Sequence, residues 1–406
     1  MTYTDYKQLC GSLEHYPARA ELMYRYGMKK VEIDDVNLAK QSDEDYVKPG
    51  LRGEHDERIV YWLRSEPLLK IVGAQELVMN SDLSEYADFR DSEPLNGFIY
   101  SEIESSLSIE GVRSTRARIE ELHRIDYDIL TDQNDIIVKN MLLGFDFVRK
   151  HDITEQNIHQ LYRILSNRCL NPGDELPEGL IYRNDAVQIV DVAGAVVDRG
   201  VDRTRIPDMI GDLLAYIDRD KTYEEHLVAS HVIHYYFIYI HPYFDYNGRM
   251  ARMLSFWYNV KHAPSLTLLF VSEAIRNKVN KAGYYAAIAN SRTMENDITY
   301  FVEYAADVIL DYTKVYINYY TLLRRIKSAG KQLRRSEEIA LKHVLAMPGT
   351  EGYFDWKDFR DFAGESYSKV HCLNLLNALL DLRILSAVDR KKAKLFRLER
   401  DAWWLM

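Results

Sequence analysis

Between residues 296 and 328 an apolar or aromatic side chain falls at every third or fourth position: Phe301, Tyr304, Val308, Tyr312, Val315, Tyr319, Leu322 and Ile326. That spacing places all of them on one side of a long α-helix, so the chain must supply other elements to cover the stripe. Several earlier segments carry the same period. Ile103, Leu107 and Ile109 precede Gly111, and Ile119, Leu122 and Ile125 follow it, which reads as a helix, a glycine stop and a second helix. Residues 136–149 and 154–168 repeat the pattern, the latter with Thr154 as N-cap. Further helices are predicted over 206–217, over 223–240 with a stop at Pro242, and over 247–261 and 273–290. Residues 101–328 therefore read as one mainly α domain.

One stretch breaks the pattern. Pro172, Gly173, Pro177 and Gly179 punctuate 172–197, where Ile181, Arg183, Val187, Ile189 and Val192 suggest two short strands around Asn184-Asp185. Upstream, residues 1–95 are polar and broken by Gly50, Gly53 and Pro67, with an apolar stretch over 68–78 and no evident job. Downstream, the basic run 327–335 reads as a linker. Helices are then predicted over 337–347, 356–363 and 366–382, with strands over 384–388 and 393–398. Helix, helix, helix, hairpin is the order of a winged helix-turn-helix, placed at 333–400. This segment carries a positive balance inside a chain of net charge −10.

A length of 406 residues with 47% hydrophobic content calls for two or three domains. The negative charge disfavours general attraction to nucleic acid or anionic membrane, so any such contact is local. Cys10, Cys169 and Cys372 are scattered without metal-ligand or disulfide spacing. The N-terminus lacks a basic region followed by an apolar core, and no apolar run reaches a membrane span of roughly 20 residues. A cytoplasmic protein without membrane contact is expected.

The chemistry concentrates in His241-Pro242-Tyr243-Phe244-Asp245-Tyr246-Asn247-Gly248-Arg249-Met250-Ala251-Arg252, between two predicted helices. Pro242 ends the first helix and leaves His241 facing a loop. The second helix opens with unpaired N–H groups and the positive end of its dipole, an anion site. Arg249 and Arg252, three residues apart, share a face and suit a polyphosphate. Asp245 is a hard oxygen ligand for a magnesium ion beside such phosphates, and His241 can accept a proton near pH 7. A base, a metal ligand, an anion-binding helix start and two arginines are the parts that phosphoryl or nucleotidyl transfer needs.

These residues resemble the signature of the Fic family, His-Pro-Phe-x-Asp/Glu-Gly-Asn-Gly-Arg-x-x-Arg, over roughly residues 95–325. Tyr243 stands for the phenylalanine. The departure is Tyr246 where the family has glycine, a position for positive φ or close backbone approach, to which tyrosine is poorly suited. The resemblance implies a mainly α fold with a Fic-type helical core over 96–328 and a β-hairpin flap, and implies transfer of AMP from ATP to a Ser, Thr or Tyr hydroxyl with release of pyrophosphate. It makes His241 the base, Asp245 the Mg2+ ligand, and Phe244, Asp245, Tyr246, Asn247, Gly248, Arg249 and Arg252 the ATP site.

Ser106-Leu107-Ser108-Ile109-Glu110-Gly111 is similar to the family's inhibitory motif, Ser/Thr-x-x-x-Glu-Gly/Asn, on a helix at about 101–111. Ser106 and Glu110 share a helix face and Gly111 suits its end; the resemblance implies that Glu110 pairs with Arg252 in place of the γ-phosphate, or alternatively positions water to remove AMP. The predicted hairpin around 179–190 lies where the family has its flap, so Tyr182, Arg183, Val187 and Ile189 are expected to register a target segment by strand pairing. His226, His231 and His234 read as core rather than metal ligands; for Tyr284 and Tyr285 helix packing weighs against an adenine contact. Expected partners are a protein substrate with a hydroxyl side chain, the chain itself included, DNA or protein at the winged helix, and a second copy in a homodimer. The competing reading is a nucleotide-sensing, DNA-binding regulator.

Overall fold

The computed structural model describes residues 1–80, 93–190, 196–262, 271–276, 278–347, 349–350, 352–363, 367–390 and 393–399. The chain opens with α1 (Tyr3–Ser12), α2 (Arg19–Tyr24) and α3 (Lys30–Lys40), a minimal antiparallel pair β1 (Tyr46–Val47) and β2 (Tyr61–Trp62), and α4 (Ser65–Met79). The apolar stretch at 68–78 is thus helical. Then come α5 (Glu93–Ile109), α6 (Arg116–Arg124), α7 (Gln133–Lys150) and α8 (Glu155–Ser166), the last capped by the Thr154 hydroxyl, which accepts from the Asn157 N–H. Helix α5 begins before the expected 101, with Pro94 in its first turn, where a missing N–H breaks no helical bond.

The hairpin β3 (Gln188–Val190) and β4 (Val196–Arg199) precedes α9 (Ile206–Asp218), α10 (Tyr223–Ile240) and α11 (Asn247–His262). Its position corrects the expectation of strands around Asn184-Asp185: Gln188 pairs with Arg199, and the connection falls at 191–195, outside the described residues. The helix predicted over 273–290 is two, α12 (Val271–Ile275) and α13 (Lys278–Thr293). The break has side-chain causes. The Glu102 carboxylate accepts from the Ser272 and Glu273 N–H groups at the start of α12, and the Asn280 amide donates to the Ala274 carbonyl across the junction.

Helix α14 (Thr299–Ser328) spans 30 residues, about 45 Å at 1.5 Å per residue. Its aromatic stripe serves three buried clusters. Tyr300 joins Tyr6, Cys10, Tyr16, Leu22, Ile33 and Val36 of the N-terminal helices. Phe301, Val302, Ala306, Ile309 and Tyr316 join the main cluster, which takes in α5–α11 and also Leu51, Ile59, Tyr61, Ile71 and Ala74, so buried packing continues across the expected boundary at 95. Tyr319, Leu322 and Ile326 pack with α15 (Arg335–Ala346), α16 (Trp356–Ala363), α17 (Lys369–Asp381) and the hairpin β5 (Leu385–Arg390) and β6 (Ala393–Leu398). The helix-helix-helix-hairpin order matches the expectation for 333–400. Lys391 and Lys392, expected in its basic wing, and Ser366 lie outside the described residues.

A buried ion pair fastens the N-terminal helices to the head of α14. Lys40 and Asp297, at 1% and 0% side-chain exposure, meet at 2.9 Å. Asp297 also accepts from the hydroxyls of Tyr16 and Thr299, and the Lys40 ammonium lies over the rings of Tyr6, Tyr16 and Tyr46. Removing one charge of such a pair strands the other without water or partner. Lys40→Met should therefore destabilise the fold by about 3–5 kcal/mol, read as a lower midpoint in urea; a midpoint unchanged from wild type would show that the pair carries no net stability.

Candidate active site at the junction of two helices

Helix α10 is apolar on nearly all sides and ends because Pro242 disfavours helical geometry at the preceding residue. His241 takes the left-handed conformation, φ 53° and ψ 61°, with its N–H still donating to the Phe237 carbonyl. Burial pushes its imidazole down to about 4, the Ile238 carbonyl opposing the shift and the charges of Arg292 and Arg183 adding to it. At pH 7 the ring is neutral and able to accept a proton.

From His241 the chain turns into α11 through a loop that the Asn247 side chain closes. Its amide oxygen accepts from the Tyr243 N–H at 3.1 Å and its amide nitrogen donates to the Tyr243 carbonyl at 2.8 Å. Tyr243 is wholly buried and stacks on Tyr162 of α8, ring centroids 3.7 Å apart, which anchors the loop in the core. Phe244 lies partly buried between these anchors. Asp245 is half exposed; its Oδ1 accepts from the Tyr246 N–H and stands 3.6 Å from Arg249. Tyr246 adopts φ 70°, the backbone region its glycine counterpart would favour, so the loop keeps that geometry despite the side chain. The N–H groups of Asn247, Gly248 and Arg249 form the first turn of α11, where no helical acceptor exists for them.

The expected inhibitory residues meet this helix directly. Arg252, 3% exposed, donates through Nε to the Ser106 hydroxyl at 2.9 Å and through Nη2 to Glu110 Oε1 at 2.6 Å. Burial alone would raise the Glu110 carboxyl, but the charges of Arg252 and Arg249 and the hydrogen bond outweigh it and hold the group below its ordinary value. Helix α5 ends beside Glu110 in a Schellman motif: Val112 N–H donates to Leu107 O, Gly111 N–H to Ser108 O, and Gly111 has φ 78°. Gly248 is required by the same contact, since a Cβ there would come within 2.7 Å of Glu110 Oε1. Lys281 of α13 donates to the Ile109 carbonyl at 2.6 Å and so closes the end of α5 from a place 172 residues away. No motif around Lys281 signals that role.

Of the residues expected to dock a target, two lie elsewhere. Tyr182 is buried and its hydroxyl donates to Glu155. Arg183, 2% exposed, donates its N–H to the Pro242 carbonyl and its guanidinium to the carbonyls of His241, Asp185 and Val201. It is drawn inward because buried carbonyls at the end of α10 have no helical partner, and a guanidinium can satisfy several at once. Arg183 therefore supports the left-handed His241 from behind rather than facing a target. Val187 and Ile189 stay on the flap segment, partly exposed. The flap's second strand is tied down by Asp198–Arg292 at 2.7 Å and Arg199–Glu54 at 3.2 Å, the latter a contact with the N-terminal region that the sequence gave no means to anticipate. His231 and His234 are core residues; His234 bonds to the Tyr284 hydroxyl, while Tyr285 is about half exposed.

Comparison with known proteins adds to this geometry. Residues 152–258 match the model of the Fic/DOC family, a span from just before α8 almost to the end of α11. Among curated proteins the chain is similar to those named protein adenylyltransferase Fic of Drosophila yakuba and Drosophila melanogaster, each 27% identical over 51% of this chain and 40% of the relative. The chain thus spans about two fifths of the length of these relatives. Among solved structures it is similar to a Fic family protein from Desulfovibrio desulfuricans G20, with a TM-score of 0.49 and 20% identity, covering 83% of this chain and 97% of that one. It is also similar to a segment of Fic-1 from C. elegans, with a TM-score of 0.46 and 17% identity over 65% and 73% of the two chains.

The burial of His241 has a direct readout. Its folded value lies below the ordinary histidine value of about 6.5, so the neutral ring persists on acidification until the pH nears 4. An NMR titration of ring-labelled histidine, with His241 assigned by its substitution, should show that resonance moving only near the acid limit of folding; a midpoint near 6.5 would mean that water reaches the ring freely.

Proposed function

Because the chain carries a Fic/DOC-family domain, matched over residues 152–258, we propose that it is a self-restrained protein adenylyltransferase that moves AMP from ATP to a hydroxyl of a protein. The observation that carries this reading is one helix junction holding a neutral, buried His241 at the end of α10 and Arg249 and Arg252 on the first turns of α11. His241 takes the proton of the target hydroxyl as its oxygen attacks the α-phosphorus. The bond from that phosphorus to the bridging oxygen breaks, and pyrophosphate leaves with the electron pair. The α11 N–H groups and the arginines bind the phosphates and take up the charge that moves onto the leaving group.

Asp245 fits a magnesium ion: it is a hard oxygen donor, 41% exposed on its side chain and fixed at Oδ1 by the Tyr246 N–H beside the anion-binding turn. Such an ion would neutralise phosphate charge there. Tyr285, exposed and close enough to feel both Glu110 and Arg252, is placed to meet the nucleoside end.

The brake in this reading is the Glu110–Arg252 pair. With Arg252 engaged by Glu110 and Ser106, the phosphate tail lacks its cation, and the α-phosphate drifts from in-line attack, for which small displacements cost about 10²-fold. The same carboxylate, beside the nucleotide, is positioned to orient water for the reverse removal of AMP. The strand edge of the flap, with Val187 and Ile189 outward, offers backbone pairing to a target segment.

The regulator reading draws on the C-terminal unit, read as a winged helix, where Arg390 and Arg397 flank the exposed Tyr353. ATP labelled at the α-phosphate separates the two: covalent label on protein supports the transferase, whereas nucleotide-dependent DNA retention without label supports the regulator. Within the transferase reading, His241→Ala should leave ATP binding near wild type while transfer falls by about 10²–10⁴-fold, as for a lost general base; unchanged labelling would remove His241 from the mechanism. Glu110→Gly should raise label incorporated per minute at least about tenfold, taking that figure as a conservative share of the misalignment cost. Arg252→Ala should stay slow with or without Glu110→Gly. Equal rates for wild type and Glu110→Gly would sink the inhibitory assignment.

A further inference from the structure

Arg249 is a poorly partnered cation for one so enclosed. It is 7% exposed, its Nε has no hydrogen-bond partner, and the nearest carboxylate recorded for it, Asp245, stands 3.6 Å away, beyond hydrogen-bond reach. What it does have is a ring: the guanidinium carbon lies 3.4 Å from the centroid of Tyr246, close enough for face-to-face stacking. Tyr246 is itself 3% exposed, held in the left-handed region at φ 70°, with its hydroxyl bonded to Cys169. That conformation is costly for tyrosine and free for glycine. The backbone penalty is tolerated where the ring supplies a contact that glycine cannot.

We propose that Tyr246 is a positioning residue for nucleotide binding, its ring face fixing the plane and direction of the Arg249 guanidinium toward the polyphosphate of ATP. This rests on the transferase reading for the identity of the ligand, and it goes beyond that reading in assigning a task to the one position that departs from the family pattern. A guanidinium aligned in advance loses less freedom when it captures a phosphate, so the effect is on affinity first. The hydroxyl is secondary: it anchors the ring's edge to Cys169, while the face does the orienting.

The test uses the full chain carrying His241→Ala, so that ATP is not turned over, and measures binding of magnesium-ATP by calorimetry. Tyr246→Phe, which keeps the face, should bind within about twofold of the parent, whereas Tyr246→Leu should bind about twofold to thirtyfold more weakly, the range of a cation–π contact. That loss should disappear when Arg249→Ala is present in both partners of the comparison, since no guanidinium remains to orient. If the leucine chain does not fold by circular dichroism, Tyr246→Met, unbranched and of similar length, takes its place. Leucine or methionine binding as tightly as tyrosine, phenylalanine binding as weakly as leucine, or a loss of equal size with and without Arg249 would each overturn the proposal. Failure of the transferase reading has a different signature: no label from ATP on a Glu110→Gly chain, whatever the binding series shows.

Discussion

A helix of 30 residues with aromatic side chains along one side cannot exist alone in water, and the architecture follows from the ways α14 is covered. Its head is covered by the N-terminal helices, its middle by the helical core and its tail by the C-terminal unit. Three clusters thereby share one rod, which limits how far any of them can move without exposing the stripe. The buried Lys40–Asp297 pair and its tyrosines reinforce the head of that rod, and Lys342 of α15, 2.9 Å from Glu273 of α12, ties the tail region back to the core. Helices α10, α11 and α13, which carry the site, are held within this frame.

Inside the frame the site is organised by charges with little access to water. Arg252 at 3% exposure needs acceptors, and α5 supplies them in Ser106 and Glu110. The same contact docks α5 on α11 and makes Gly248 obligatory at the crossing. Arg183 has the complementary task, gathering the carbonyls that the end of α10 leaves unpaired. Two buried guanidiniums therefore bracket the His241 loop, one holding its backbone and one holding the inhibitory carboxylate. Arg249 differs from both in resting on an aromatic face with few acceptors, which leaves its donors for an incoming anion.

Most helices were legible because their signals are local: apolar side chains at three- and four-residue spacing, Thr154 as a cap, Pro242 as a stop, Gly111 as an end. The His241–Arg252 run and the Ser106–Gly111 motif were legible for a similar reason, since each packs its chemistry within a few turns of chain. The hairpin was misplaced because Arg183 and Val187 look alike to an alternation rule, yet Arg183 is claimed by distant carbonyls. The long helix expected over 273–290 was divided for a comparable reason: its break depends on Glu102, some 170 residues away.

The sequence by itself determined which segments become helices and which residue types gather between α10 and α11, because periodicity, caps and breakers act over a few residues and need no partner. Only the tertiary structure decided that Glu110 meets Arg252 across 142 residues of chain, that Lys281 seals the end of α5, and that Arg183 faces inward. It also decided the place of Tyr246, which the family pattern marks as a misfit and packing turns into the floor beneath Arg249. Long-range pairing of this kind depends on which buried donors and acceptors remain unsatisfied once the helices have packed, a quantity set by the assembled core and absent from any local stretch of residues.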